Sequence, residues 1–420
     1  MSFYNNWGGG VLCAAVGSVL FYAPRVLVCV QQRRYTYRMD FLPFFVVLMV
    51  SVLFSSAFRR FHLPWVLALI VAGVVIGPYG LGFGEVTPTI AFMGEIGLIF
   101  LMFMAGLETK LSSFKEFGAG IVRIASLNGL VPFVVGVIIG TLFGLPVVSA
   151  ILMGIIFMSS SVAVIIPALE ETGLIEKRVG RSIIASTIIV DVASLILLSV
   201  LLQTTNPVTA LPLPSFYVLL AVILAAFGYG LPRLRNLIPH PRKEADLFES
   251  EVRIIFAMLL GTVVTFGLLG LHPIIAGFFT GLVMSDSIRS EIMIEKLRTI
   301  SYGIFIPVFF VVVGFQTDVS ALIAGASALS LAVVLVLGAM GSKYVSGYIA
   351  ARWSGFTTRE SQLVGIATTP QLSTTLAVVF TGVELGLLQS DLIASMVLLS
   401  VVSTVVAPLA LRRIKIGWIG

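Results

Sequence analysis

The sequence predicts an all-α polytopic membrane protein: thirteen transmembrane helices after residue 40, arranged as inverted repeats, with the fifth and twelfth broken. Three observations carry this. First, 58% of the 420 residues are apolar and 11% charged, against roughly 45–50% and 25% in a soluble domain, so a water-facing surface would lack polar cover. A soluble multidomain enzyme is excluded. Second, apolar stretches long enough to cross a ~30 Å hydrocarbon core as helix alternate with short polar joints. Third, three motifs of the first half recur in the same order in the second. The formal charge is +6, but the 26 basic residues are scattered between apolar blocks and form no nucleic-acid face. Cys13 and Cys29, both near the N-terminus, are too few to organise the fold through disulfides or a metal.

The predicted spans run 41–58, 64–78, 89–107, 119–143, 146–169, 179–203, 214–231, 250–270, 273–285, 297–315, 321–350, 361–383 and 389–411. Several are short or interrupted, which predicts tilted and broken helices. Basic joints stay on the cytoplasmic side. Arg59 and Arg60, Lys110 and Lys115, Lys177 with Arg178 and Arg181, Arg233 through Lys243, Arg289 with Lys296 and Arg298, Arg352 with Arg359, and Arg412 to Lys415 occupy alternate joints, and the joints between them contain no Lys or Arg. Counted from span 1, the N-terminus is outside and the C-terminus cytoplasmic. Residues 1–38 do not fit. Their apolar stretch carries Arg25 and is followed by Arg33, Arg34 and Arg38, and reads as an upstream extension before a start at Met39, an extra helix or a targeting segment.

The repeats are Gly73-Val-Val-Ile-Gly77 with Gly277-Phe-Phe-Thr-Gly281, Gly106-Leu-Glu-Thr-Lys-Leu111 with Gly314-Phe-Gln-Thr-Asp-Val319, and Ser159-Ser-Ser-Val-Ala-Val164 with Ser373-Thr-Thr-Leu-Ala-Val378. Each pair lies seven spans apart, and an odd separation reverses direction across the membrane. Inverted repeats with binding between broken helices at the midplane mark secondary transporters, because two pseudo-symmetric halves interconvert outward and inward forms. The glycine pairs also favour close helix packing, within the chain or between copies.

Asp191 and Lys343 are the ionisable residues deepest in the spans. At 1.5 Å per residue, Asp191 lies about 15 Å beyond Arg181 and Lys343 about 13–14 Å before Arg352. A charge at that depth is costly and faces protein or water, so Asp191 reads as a proton or ion site. Lys343 reads either as a participant or as a structural counter-ion that could also snorkel. Glu95 suits a hydrogen-bonded or interface-facing carboxylate. In span 12, Thr368, Thr369, Pro370, Gln371, Ser373 and Thr374 crowd polar groups around a proline that cannot continue the helix ladder, so the helix should unwind there. Unwound backbone in a bilayer is buried in protein or lines a cavity. Ser159, Ser160 and Ser161 are the repeat-related set in span 5; ordinary helix packing is their alternative role. His62, His240 and His272 have no metal spacing. No Gly-Lys-Ser/Thr phosphate loop is present.

Leu63-Pro64, Gly73 to Pro78, Gly97 to Glu108, Ser159 to Leu174, Asp191 and Lys343 together resemble the monovalent cation:proton antiporter family 2, which holds bacterial sodium/proton exchangers and Kef-type potassium/proton systems. The likeness covers about residues 41–412. It implies a dimerisation domain (41–115 and 250–316), a core transport domain (119–203 and 321–412), a linker helix (214–231), a homodimer, and broken spans 5 and 12 crossing beside Asp191. The chain departs from the family at Val190-Asp191, where electrogenic members carry two acids and Kef-like members Gln-Asp. One carboxylate holds one proton or one monovalent cation, which favours electroneutral 1:1 exchange of Na⁺ or K⁺ for H⁺. It also puts the role of Lys343 in doubt, since in two-acid relatives the lysine is thought to pair with the missing acid. The sequence stops soon after span 13, so gating by a Kef-like nucleotide-binding extension is not expected. No cofactor is implied, and no enzyme, since no nucleophile and base pair is evident. The implied setting is a prokaryotic inner membrane with a role in pH homeostasis, lipids and the transported ions being the partners. Two other readings stay open: an ion-coupled organic anion symporter anchored on Lys343, and a cation channel.

Overall fold

The structure is a computed structural model that describes residues 41–60, 64–109, 118–205, 250–268, 271–285, 288, 290–320, 326–389 and 391–416, and five isolated positions between Ser215 and Tyr229. Span 7 thus lies largely, and residues 1–38 wholly, outside the described residues, as do His62 and His240. Contacts divide the chain into Met1–Leu42 and Pro43–Gly420. Of the first unit only Phe41 and Leu42, the opening of the first helix, are described; the packing that follows is that of the second.

Every regular element among the described residues is a helix. They are α1 (Phe41–Arg59), α2 (Trp65–Ile76), α3 (Pro88–Glu108), α4 (Ala119–Leu142), α5 (Val147–Met158), α6 (Val162–Glu171), α7 (Arg178–Thr205), α8 (Ser250–Leu268), α9 (Pro273–Met284), α10 (Glu291–Phe315), α11 (Ala326–Trp353), α12 (Thr358–Ala367), α13 (Ser373–Glu384) and α14 (Asp391–Ile416). Local chemistry sets many of the starts. Thr87 and His272 cap α3 and α9 ahead of a proline in the first turn, and Thr357 with Glu360 forms a capping box on α12. α10 contains one π turn, Ser301–Phe305.

The interruptions fall where the polar runs do. α12 ends at Ala367 and α13 begins at Ser373, with Pro370 in the gap; α5 ends at Met158 and α6 begins at Val162, with Ser159 to Ser161 between. Span 5 has no proline in its gap. Its extended serines are held instead by the other break, because the Ser161 N–H donates to the Pro370 carbonyl at 2.7 Å.

Two groups of helices pack among themselves. α3 packs on α9 and α10, α2 on α10, and α8 on α9; α4, α5, α7, α11, α12 and α14 form the second set, with α13 on α5 and α14. Small residues set the closest approaches. A Cβ on Gly281 would stand 2.0 Å from the Phe103 carbonyl, and one on Gly106 2.1 Å from that of Phe278. The glycines of the first repeat pair are therefore used inside the chain, α3 against α9 and, through Gly73 and Gly314, α2 against α10.

Candidate functional site

The two breaks meet beside α7. Asp191, half-buried, accepts the Ser160 backbone N–H at 3.0 Å and the Ser159 hydroxyl at 3.3 Å on the same carboxylate oxygen. The Ser160 hydroxyl donates to the Thr368 carbonyl at 3.0 Å, and the Gln371 amide donates to the Phe157 carbonyl at 2.8 Å. Each break thus caps carbonyl groups that the other helix leaves without an intrahelical partner. Gln371 and Ser403 are joined as well, the Gln371 N–H donating to the Ser403 hydroxyl at 3.1 Å.

Lys343 does not snorkel. It is fully buried, and its ammonium donates to the Met158 carbonyl, to the Ser160 hydroxyl at 2.8 Å and to Asn128 Oδ1 at 3.2 Å. A cation there sits on the C-terminal carbonyl of α5, where the helix dipole favours it. Among the ion pairs of the described residues, none joins Lys343 to Asp191 within 4.0 Å. The two are linked through Ser160, which faces the acid with its N–H and the lysine with its hydroxyl.

Of the polar run in span 12, Ser373 and Thr374 line a narrow pocket of about 70 Å³ that reaches Asp191. Thr368 joins the crossing through its carbonyl and its contact with Asn128, and Pro370 through its carbonyl. The Thr369 hydroxyl bonds back to Ile366 and takes no part. Glu95 is exposed on α3, away from this cluster. His272 caps α9 and pairs with Glu384 at 3.5 Å.

Several contributors escape a reading of the sequence. Asn128 on α4 is buried against Lys343 and Thr368, and its one visible signal is a carboxamide in an apolar span. Thr187, one turn before Asp191 on α7, is buried with a hydroxyl that has no partner among the described residues; the hydroxyl of Ser161 is in the same condition. Glu108 and Tyr302 line the narrow pocket, and Arg298 holds Glu108 at 3.1 Å. Beyond them a cavity of about 950 Å³ shares Leu101, Glu108, Ile166, Tyr302 and Ser373 with the pocket and runs between α2, α3 and α10 on one side and α6, α13 and α14 on the other. Arg298 and Arg412 stand at its walls, the latter paired with Glu171 at 2.6 Å.

An acid at the crossing of two broken apolar helices, reached by a pocket that adjoins a wide cavity, defines an integral membrane ion carrier. Residues 45–416 match the family described as "Sodium/hydrogen exchanger, transmembrane", and the chain belongs to it, a family of cation/proton antiporters. It is 31% identical, over 89% of its length and 96% of the relative's, to a probable Na⁺/H⁺ antiporter of Methanocaldococcus jannaschii. It is 26% identical, over 89% and 96%, to the Na⁺/H⁺-K⁺ antiporter GerN of Bacillus cereus. In fold it is similar to the sodium proton antiporter MjNhaP1 of M. jannaschii, with a TM-score of 0.70, 17% identity, and coverage of 90% of this chain and 98% of that one.

Proposed function

We propose that Asp191 carries, in alternation, one proton or one Na⁺ or K⁺, and that the chain exchanges them 1:1 by alternating access across a prokaryotic inner membrane, as a homodimer serving pH homeostasis. The observation that carries the reading is the pocket leading from Asp191 into the wide cavity. Because basic joints mark the cytoplasmic side, the walls bearing Arg298 and Arg412 make this the cytoplasm-open form. The Asp191 carboxylate is the cation's charge partner. Ser159, the buried hydroxyls of Ser161 and Thr187 that have no partner among the described residues, and freed carbonyls at the break complete an oxygen shell for a partly dehydrated ion. Proton and cation exclude each other because both neutralise the same oxygen pair. An empty, ionised Asp191 resists crossing the apolar barrier, which suppresses leak.

The set α4 to α7 with α11 to α14 is the moving core, and α1 to α3 with α8 to α10 the scaffold. The cavity between the two sets is the path that closes when the core shifts. The relatives' printed names, Na⁺/H⁺ for one and Na⁺/H⁺-K⁺ for the other, support the choice of ions. The symporter reading needs Lys343 in the cavity as an anion anchor, whereas its ammonium is buried on three oxygens and lines neither cavity. In everted vesicles, Asp191→Asn should abolish cation-driven proton flux while the protein remains in the membrane. Persisting flux would remove Asp191 from the mechanism.

A further inference from the structure

We infer that Asn128 is a positioning residue of the exchange: its carboxamide holds the Lys343 ammonium in an uncharged oxygen cage beside Asp191, doing with a neutral acceptor what a second carboxylate would otherwise do. The inference rests on Asp191 being the exchange site. An ammonium has three protons, and here three acceptors take them, the Met158 carbonyl, Ser160 Oγ and Asn128 Oδ1. None is left to bridge to Asp191. Two of the acceptors belong to the span-5 break, so Asn128 is the member contributed from outside it.

The amide can face only one way. Its Nδ2 donates towards the Lys343 carbonyl at 2.9 Å, Ser346 Oγ at 3.1 Å and Thr368 Oγ1 at 3.2 Å. Turned over, it would set N–H against the ammonium, donor against donor. Gly347 makes room for this, since a Cβ there would meet Thr368 Oγ1 at 2.9 Å and Asn128 Nδ2 at 3.1 Å. Asn128 therefore ties α4, α11 and the α12 end together at the atom that carries the positive charge.

Losing that acceptor has a directed consequence. A buried ammonium with an unmatched proton seeks the nearest free acceptor, and Asp191, already coupled to it through Ser160, is an anion. Lysine then competes with the transported cation for the carboxylate. A carboxylate at position 128 acts oppositely, because it keeps the acceptor and adds a negative charge beside the lysine, so exchange should be half-maximal at higher pH. The other titratable groups facing Asp191 are Glu108 on α3, bound to Arg298, and Tyr302 on α10. α4, α5, α6, α12 and α13 present uncharged side chains there.

The test uses the full chain in proteoliposomes with a pH-reporting dye and Na⁺ or K⁺ pulses. Wild type should exchange and Asp191→Asn should not; if that arm fails, the exchange site is elsewhere and the reading beneath this inference falls. With that arm in hand, Asn128→Ala should raise the cation KM about tenfold at fixed pH with little change in maximal rate, and Lys343→Gln added to it should restore KM by removing the competitor. Asn128→Asp should move the pH of half-maximal exchange upward by about one unit. If Asn128→Ala is not recovered from membranes, the sign of the Asn128→Asp shift decides alone. A lowered maximal rate with unchanged KM and pH midpoint, or a midpoint that does not rise in Asn128→Asp, would overturn the proposal.

Discussion

Gly281→Ala should destabilise the protein through a single methyl group. Its Cβ would lie 2.0 Å from the Phe103 carbonyl oxygen and 2.7 Å from the Leu107 nitrogen, both backbone atoms of α3 that no rotamer change can move. Ordinary contact needs about 3.5 Å, so α3 and α9 must part by about 1 Å or more, and such a gap forfeits a quarter to a half of each well across it. The atoms drawn apart include the buried side chains of Phe103, Leu107, Phe278 and Leu282. With ~20 pairs at 0.1–0.2 kcal/mol each, the lost contacts come to about 1 kcal/mol, and overpacking strain takes the total to about 2–3 kcal/mol. Gly261→Ala is the matched control. Nothing lies within 4 Å of its Cβ, and it sits inside α8, where alanine gains about 0.5–1 kcal/mol over glycine. The assay is the thermal midpoint of the monodisperse fraction in one detergent. Gly281→Ala should fall by a few degrees and Gly261→Ala should hold or rise; equal midpoints, or shifts of the same sign, would refute the close α3–α9 contact.

The site makes two further demands. Ser161→Ala and Thr187→Val each remove one buried oxygen, and a lost contact to a charged ligand costs about 1.5–3 kcal/mol, so each should raise the cation KM about tenfold or more; an unchanged KM would place that oxygen outside the ion's shell. One carboxylate exchanging one charge for one escapes the ~2.3 kcal/mol per charge per 100 mV of the membrane potential, so turnover on a solid-supported membrane should produce no sustained current. Current proportional to turnover would exclude 1:1 exchange.

Much of the fold was legible because a bilayer makes helix ends chemical. Arg59, Glu108, Leu142, Arg178 and Trp353 end or begin helices within about three residues of the expected spans, since a hydrocarbon core demands one length of apolar helix and polar joints outside it. Pro370 announced the break in span 12 by its missing N–H. The break in span 5 had no such mark, and only its repeat partner pointed to it. The site was less legible. Asp191 and the serines were expected together and are together, but Lys343, read as a possible counter-ion to Asp191, spends its protons on Met158, Ser160 and Asn128.

From composition, span length and the isolated acid, the sequence by itself determined a helical membrane protein with one charged centre and two interrupted spans, because each follows from the cost of placing polar groups in lipid. Which oxygens surround Lys343, which hydroxyls stay free near Asp191, and which side of the crossing opens to a cavity were decided only by tertiary structure. The oxygens around Lys343 come from residues 183 to 215 positions away, meeting it at the crossing over a separation no periodicity encodes.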